Sequence, residues 1–257
     1  MSVSRHHQGL PPVTILHTAD FHFPGRRNET DPYWSAPRES PFRALETVVD
    51  TANQLAVDLL VYAGDLFDTY KPSDEVVSFV LSQFKRLNAP AIFIPGNHDC
   101  LGPTETYTLP AWKDPENGPY IITEIQGELI EVPGAPIVVW GKAMKEYMPE
   151  FQPLKGLPSR ERAAWHVALG HGLLCDEQDS YWQAYPIFAR QIRESGWDYI
   201  ALGHQHGYKD VSRGTVKAAY AGSPVSSWNP DPSIVLVTFD TQKDDPVTMR
   251  KLPLVME

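Results

Sequence analysis

The chain has 257 residues, of which 42% are hydrophobic and 21% are charged, and its formal net charge at pH 7 is −10. This composition is typical of a globular protein and excludes a disordered or fibrous chain. The acidic balance argues against a broad basic surface for nucleic acid, and no run approaches the ~20 apolar residues of a membrane-spanning helix.

The N-terminus and the cysteines indicate the compartment. Residues 1–12 contain no apolar segment of the signal-peptide type, so we expect a flexible arm and a cytoplasmic protein without a membrane anchor. The two cysteines, Cys100 and Cys175, make no disulfide framework and are expected to be reduced thiols. Because no repeat or linker divides the chain, we expect a single domain over residues 1–257.

Apolar runs and helical spacing predict an α/β fold. The first half alternates strands with two helices, which predicts a parallel sheet. Its strands are predicted at residues 13–18, 59–63 and 91–94, and its helices at residues 42–56 and from 76 to about 88. The second half has β pattern at 121–122, 129–132 and 137–140, a strand at 167–169, a helix at about 186–194, and strands at 199–202, 218–221 and 234–239.

Five of these apolar runs are followed by side chains that can bind metal, most of them beside a glycine. Parallel strands place their carboxyl ends at one edge of a sheet, where open α/β sheets bind ligands. The side chains concerned are, in chain order, Asp20 and His22, Asp65 and Asp68, Asn97, His98 and Asp99, His171, and His204 and His206. The remaining histidines, which we assign to core or surface packing, are His6, His7, His17 and His166.

Asn97, His98 and Asp99 place an amide, an imidazole and a carboxylate in consecutive positions after an apolar strand. Burying this much polarity is costly unless each group has a partner, and a divalent cation can be a partner to several groups at once. A carboxylate at Asp65 could bridge two cations, which lower the pKa of a bound water to about 7. With Asp20 and Asp65 as the charged ligands, roughly two positive charges would remain to attract a phosphate.

The full set of motifs resembles that of the calcineurin-like metallophosphoesterases. Within this superfamily, residues 64–68, 201–204 and 220–224 are similar to the DNA repair exonuclease branch, the SbcD-like nuclease subunits. The motifs that carry the resemblance are Asp20-Phe-His22, Gly64-Asp65-Leu-Phe-Asp68, Gly96-Asn97-His98-Asp99, Gly170-His171-Gly172 and Gly203-His204-Gln-His206.

The resemblance implies a four-layer α-β-β-α sandwich with a dinuclear site between its loops. It implies that His98 faces the substrate, stabilising the phosphoryl group or protonating the leaving oxygen, with Asp68 and Asp99 as supporting groups of the catalytic set. The nuclease branch implies Mn²⁺, but spacing does not distinguish it from Fe, Zn or Co. The implied ligands of one metal are Asp20, His22, Asp65 and His206, and those of the other are Asp65, Asn97, His171 and His204.

The resemblance further implies a phosphodiester substrate such as DNA, hydrolysed by a metal-bound hydroxide, and an SMC-like ATPase subunit as partner. The chain ends at Glu257, before the capping region that this nuclease family usually has. Thr69 and Tyr70 follow Asp68 where protein phosphatases have Arg-Gly, which argues against that activity. The alternative enzyme is a small-molecule phosphodiesterase, for example one for cyclic nucleotides, and a non-catalytic scaffold is a third reading. Oligomeric state stays open.

Several aromatic side chains in polar segments are candidates for stacking on bases, which is worth about 1–3 kcal/mol per base. We expect most of them to pack within the protein instead. They are Tyr33, Trp34, Trp112, Tyr181 and Trp182.

Overall fold

The computed structural model describes residues 7, 9–25, 40–102, 106–112, 118–160, 163–175 and 184–254. Its first sheet has six strands, and the central strands pair in parallel. The spatial order is β14 (Val247–Pro253), β13 (Ser233–Phe239), β1 (Val13–Thr18), β2 (Leu59–Ala63), β3 (Ala91–Ile94) and β4 (Tyr120–Ile121).

The second sheet also has six strands, of which four neighbours are parallel. The spatial order of the six strands is β11 (Lys209–Asp210), β12 (Lys217–Tyr220), β10 (Tyr199–Gly203), β7 (Trp165–His171), β6 (Ile137–Gly141) and β5 (Glu128–Glu131). A small two-stranded sheet consists of β8 (Leu173–Cys175) and β9 (Pro186–Phe188).

The helices are α1 (Ser40–Gln54), α2 (Asp74–Phe84) and α3 (Ala189–Glu194). Helix α2 begins after Ser73, whose side chain accepts a hydrogen bond from the backbone N–H of Val76. Asp74 and Glu75 place negative charge in its first turn, where the helix dipole favours it. Short 3₁₀ turns occur at Thr106–Thr108 and Pro110–Trp112.

Two buried layers show how the sheets are arranged. Alternate residues of β1 point to opposite faces, so Leu16 packs with α1 and α2 while Ile15 packs toward the second sheet. Val167 of β7 shares the layer between the sheets with Ile15, whereas Ala168 faces the opposite side, toward Ile192 of α3. The order of layers is helices, sheet, sheet, helix, which confirms the predicted four-layer α/β sandwich.

The predicted strands are confirmed with small shifts at their ends, and four further strands, β8, β9, β11 and β14, were not predicted. The predicted helix at about 186–194 is wrong at its start, because Pro186–Phe188 pairs with β8 before α3 begins. Helix α2 ends at Phe84, earlier than expected. Among the described residues, no helix has the length and apolar character that crossing a bilayer requires.

The structure tests two expectations, one about the N-terminal arm and one about the candidate stacking residues. His7 does not behave as part of a flexible arm, because it is buried and its ring stacks on Trp165 with 4.1 Å between ring centroids. Trp112 packs in the core, as expected for most of the candidate stacking residues. The other four, Tyr33, Trp34, Tyr181 and Trp182, lie outside the described residues.

Candidate metal centre

The loops after β1 and β2 run side by side and carry three of the predicted ligands. The backbone N–H of Asp20 donates to Gly64 O over 3.0 Å, and that of His22 donates to Asp65 O over 3.1 Å. These bonds continue the parallel pairing of the two strands beyond their ends. These hydrogen bonds hold Asp20, His22 and Asp65 next to one another at the edge of the first sheet.

Four of the predicted ligands have a left-handed backbone that side chains rarely adopt. The φ angles are 58° at Asp20, 52° at His22, 58° at Asp65 and 95° at His204. Such conformations cost about 1–3 kcal/mol each and persist where the surrounding structure enforces them. Three of these residues follow strands of the first sheet and His204 follows β10 of the second, so the strained positions lie where both sheets present predicted ligands.

Two glycines in the motifs are required by the close approach of neighbouring loops. At Gly64, where φ is +95°, a Cβ atom would overlap Nδ1 of His171. At Gly96 a Cβ atom would overlap the carboxylate of Asp65. The glycines therefore allow polar side chains from both sheets to converge on one place.

The first cluster consists of Asp20, His22 and His206, whose ligand atoms all lie within 4.8 Å of one another. The Nε2 atoms of His22 and His206 are 3.1 Å apart, a separation that two nitrogens bound to one cation can have. Burial is the main cause that raises the pKa of Asp20 to about 6, so a positive neighbour would stabilise its ionised form. The donor set fits a divalent cation.

The second cluster consists of Asp65, His171 and His204, with the Asn97 amide beside it. Nδ1 of His171 lies 2.7 Å from Ala63 O, which assigns its proton to Nδ1 in the neutral ring. Nε2 then faces two oxygens, Asn97 Oδ1 at 3.0 Å and Asp65 Oδ2 at 3.2 Å. Without a cation a proton on Nε2 satisfies both oxygens, and a cation bound by the neutral ring can take the place of that proton.

The same electrostatics appear in the histidine pKa values. Burial opposes a charge on His171, but the carboxylate of Asp65 outweighs burial and raises the pKa of His171 to about 9. For His204, burial lowers the pKa to about 3, and for His206, burial and then the neighbouring His22 lower it to about 4. The latter two rings are neutral at pH 7, the state in which imidazole binds a metal.

Asp65 lies between the clusters. Its Oδ2 is 3.2 Å from Nε2 of His171 and 3.8 Å from Nε2 of His22, while its Oδ1 accepts a hydrogen bond from the backbone N–H of His98. Burial opposes its ionisation, but His171 and His22 outweigh burial and lower the pKa of Asp65. An ionised carboxylate in this position can contact a cation on each side.

His98 and Asp68 form a pair at the mouth of the site. Nδ1 of His98 donates to Asp68 Oδ1 over 2.8 Å, and the side chain of His98 is 44% exposed. The hydrogen bond is the main cause that raises the pKa of His98. Burial would raise the pKa of Asp68, but His22 and His98 outweigh it and lower that pKa to about 2. Asp68 Oδ1 also lies 3.4 Å from Nδ1 of His22, so these three residues form a third group capable of binding metal.

Asp99 is buried and faces the loop backbones. Its carboxylate accepts hydrogen bonds from the N–H groups of Leu66 at 2.8 Å, Phe67 at 3.1 Å and Gly96 at 2.6 Å, and from the Tyr107 hydroxyl. These bonds join the loop of Asp65 to the loop of Asn97. Asp99 therefore holds the two loops together, and the supporting role in catalysis that the resemblance implies stays a prediction.

Three side chains around the centre were not among the predicted site residues. Trp228, which is 38% exposed, lies with its ring 4.8 Å from that of His22 and 5.4 Å from that of His206. Tyr185 contacts the His204 ring edge-on at 5.7 Å. Ser223 Oγ donates to Asp20 O over 2.6 Å. The only sequence signal was for Ser223, which belongs to the motif at 220–224.

The chain belongs to the calcineurin-like phosphoesterase family, whose family model matches residues 13–208. This span contains every predicted ligand and both members of the His98 and Asp68 pair. The family uses dinuclear metal sites, and the clusters described above consist of side chains that are able to bind metal.

Among curated relatives, the metallophosphoesterase YhaO of Bacillus subtilis is 30% identical over 226 residues, which cover 83% of this chain and 53% of that protein. The DNA double-strand break repair protein Mre11 of Methanosarcina mazei is 38% identical over 100 residues, covering 38% of this chain and 16% of Mre11. The chain thus spans about half, or less, of the relatives' length. The fold is shared with the solved TT1561 of Thermus thermophilus, at a TM-score of 0.59, 12% identity and coverage of 95% of this chain and 100% of that one.

Proposed function

We propose that the chain is a metal-dependent phosphodiesterase of the DNA repair nuclease type. The observation that carries the proposal is the position of Asp65 between two clusters of metal donors, with the exposed His98 beside them. The similarity to a protein named for DNA double-strand break repair supports DNA as the substrate. An SMC-like ATPase partner is part of the same proposal.

Two sets of residues would hold the cations, which we propose are Mn²⁺. When bound, the cations supply a nucleophile at neutral pH and neutralise charge on the phosphoryl oxygens. Asp65 belongs to both sets. The first set is completed by Asp20, His22 and His206, and the second by Asn97, His171 and His204.

His98 and Asp68 complete the proposed machinery. Because Nδ1 of His98 is bound to Asp68, its Nε2 is the nitrogen available to a substrate. The raised pKa of His98 favours the protonated ring, which can stabilise the phosphoryl group or give a proton to the leaving oxygen. Asp68 orients the ring and balances its charge.

A second candidate is a phosphodiesterase for small molecules. The net charge of −10 favours it, because a long DNA duplex would be repelled by an acidic surface. The scaffold reading has less support, because every predicted ligand is present and the donors converge.

Nucleotide release from linear DNA by the Mn²⁺-loaded chain tests the proposal, with bis(p-nitrophenyl) phosphate assayed alongside. Asp65→Ala should abolish both activities. Asp50→Ala removes an exposed carboxylate that is paired with Arg86 on the helical layer, and it should change neither. Hydrolysis of the small diester without DNA degradation would favour the second candidate, and absence of both activities would overturn the phosphodiesterase proposal.

A further inference from the structure

A cavity of about 530 Å³ opens beside the metal centre on the side of His98. This volume lies within the range of pockets that bind small molecules and cofactors. None of the proposed metal chemistry uses it beyond Asn97, Asp68 and His98 at its inner end. The other described residues that line it are Thr69, Tyr70, Cys100, Gly102, Glu146 and Tyr147.

The position of His98 indicates which half of a substrate enters the cavity. If His98 acts on the leaving oxygen, as the proposed function has it, the group attached to that oxygen must lie next to the His98 ring. The cavity is the adjoining space, so it faces the leaving group rather than the part of the substrate that keeps the phosphate.

Two exposed aromatic rings line this space. The side chain of Tyr147 is 65% exposed and that of Tyr70 is 47% exposed, although large apolar rings gain by burial. Tyr147 is supported edge-on by Tyr185, with 5.8 Å between ring centroids. Exposed aromatic rings of this kind are the surfaces on which nucleic acid bases stack.

The walls of the cavity are held by backbone hydrogen bonds. The N–H of Leu101 donates to Met144 O over 3.0 Å, and the N–H of Gly102 donates to Lys145 O over 2.8 Å. Gly102 has φ of +53° and lies against the Tyr70 side chain, 3.3 Å from where its own Cβ would be. The segment that precedes Tyr147 is therefore hydrogen-bonded to the segment after Cys100, and the Tyr70 side chain lies against that segment.

The charge of the cavity selects against a further phosphate. The charge of Asp68 is balanced by the His98 ring, so the carboxylate of Glu146 sets the sign of the cavity, and the described lining residues include no lysine or arginine. A phosphate on the leaving group would be repelled, whereas an exocyclic amino group on a base could donate to Glu146.

We propose that this cavity is the leaving-group subsite and that it takes an uncharged terminal nucleoside. The base lies on the rings of Tyr70 and Tyr147, and an amino group of adenine or cytosine donates to Glu146. In turnover, the oxygen of a water that has lost a proton to solvent bonds to phosphorus, and the bond from phosphorus to the nucleoside oxygen breaks. That oxygen leaves with a proton from His98, which takes up a new proton from solvent. The inference rests on the proposed function, and it adds that the enzyme acts at the end of a nucleic acid strand.

Equilibrium dialysis of deoxyadenosine with the metal-free full chain tests the subsite without turnover. Tyr70→Ala and Tyr147→Ala should each weaken binding about fivefold or more, while Tyr147→Phe keeps the ring and the affinity. Tyr120→Ala removes a tyrosine of similar exposure on the edge strand β4 and should have no effect. Glu146→Ala should reduce the preference for deoxyadenosine over thymidine.

A second arm separates the subsite from the proposed function. In the Mn²⁺-loaded chain, deoxyadenosine should inhibit hydrolysis of bis(p-nitrophenyl) phosphate, and Tyr147→Ala should weaken this inhibition. Active enzyme that neither binds deoxyadenosine nor distinguishes Tyr147→Ala from Tyr120→Ala overturns the subsite and leaves the phosphodiesterase intact. Binding by a chain without any phosphodiesterase activity overturns the proposed function and the leaving-group role, because the cavity would then be only a nucleoside site.

Discussion

Replacing His98 by alanine is the most direct test of the site. His98 contributes a half-exposed ring whose Nδ1 is bound to Asp68, and its backbone N–H, which donates to Asp65 Oδ1, is kept in the variant. The substitution therefore removes the proposed proton donor and leaves the hydrogen bond that orients Asp65. We expect both metal clusters to keep their affinity.

The expected loss of turnover follows from what the ring can supply. A positioned general acid contributes about 10²–10⁴ in rate, which is about 2.7–5.4 kcal/mol in the activation free energy. The full effect requires a leaving group that needs a proton, such as the alkoxide of a dinucleoside monophosphate. p-Nitrophenolate leaves without one, so bis(p-nitrophenyl) phosphate should lose much less.

The assay compares kcat for these two substrates in wild type and His98→Ala, with bound metal measured by elemental analysis. Asp65→Ala serves as the variant that should lose metal. Loss of metal from His98→Ala would contradict the assigned role and point to the alternative group of His22, Asp68 and His98 as a ligand set. Equal losses on both substrates would refute proton donation and leave charge stabilisation as the function of the ring.

Three further predictions concern residues that support the fold and site. Asp99→Ala leaves three buried N–H groups and the Tyr107 hydroxyl without their acceptor, and it should lower the free energy of unfolding in urea by about 3 kcal/mol or more. Gly64→Ala combines an unfavourable φ of +95° with overlap at His171, and it should reduce metal content as well as stability. His17 is buried, and burial lowers its pKa from 6.5 to about 3, so the folded state holds it neutral while the unfolded chain takes up a proton. Its contribution should therefore reduce stability by about 1.4 kcal/mol per pH unit as pH falls from about 6 toward about 3, and this slope should be absent in His17→Gln.

Each of these predictions has a contradicting result. An Asp99→Ala protein with wild-type stability would mean that water replaces the carboxylate between the loops. Full metal content in Gly64→Ala would show that the loops can separate without loss of the site. Parallel stability profiles for wild type and His17→Gln between about pH 4 and 6 would show that His17 does not stay neutral in the fold.

Much of the fold could be predicted from the sequence, because its signals are local. The run Leu59–Ala63 is apolar throughout and ends beside Gly64, and a strand buried on both faces needs no distant information to be recognised. The order of polar residues after such strands then indicated the ligands. Strand β14 escaped prediction because it is an edge strand with an alternating, largely exposed pattern and charged residues.

Only the tertiary structure decided which side chains meet. His22 and His206 are 184 residues apart, and their contact depends on the packing of two sheets whose loops open toward the same edge. The same holds for Trp228, which reaches the His22 ring, and for the cavity beside His98. Residue types and strand ends are properties of short segments, whereas distances between loops depend on how the whole core packs. For this reason the sequence by itself indicated the candidate donors of a metal centre, and only the packed sheets placed Asp65 between the two clusters.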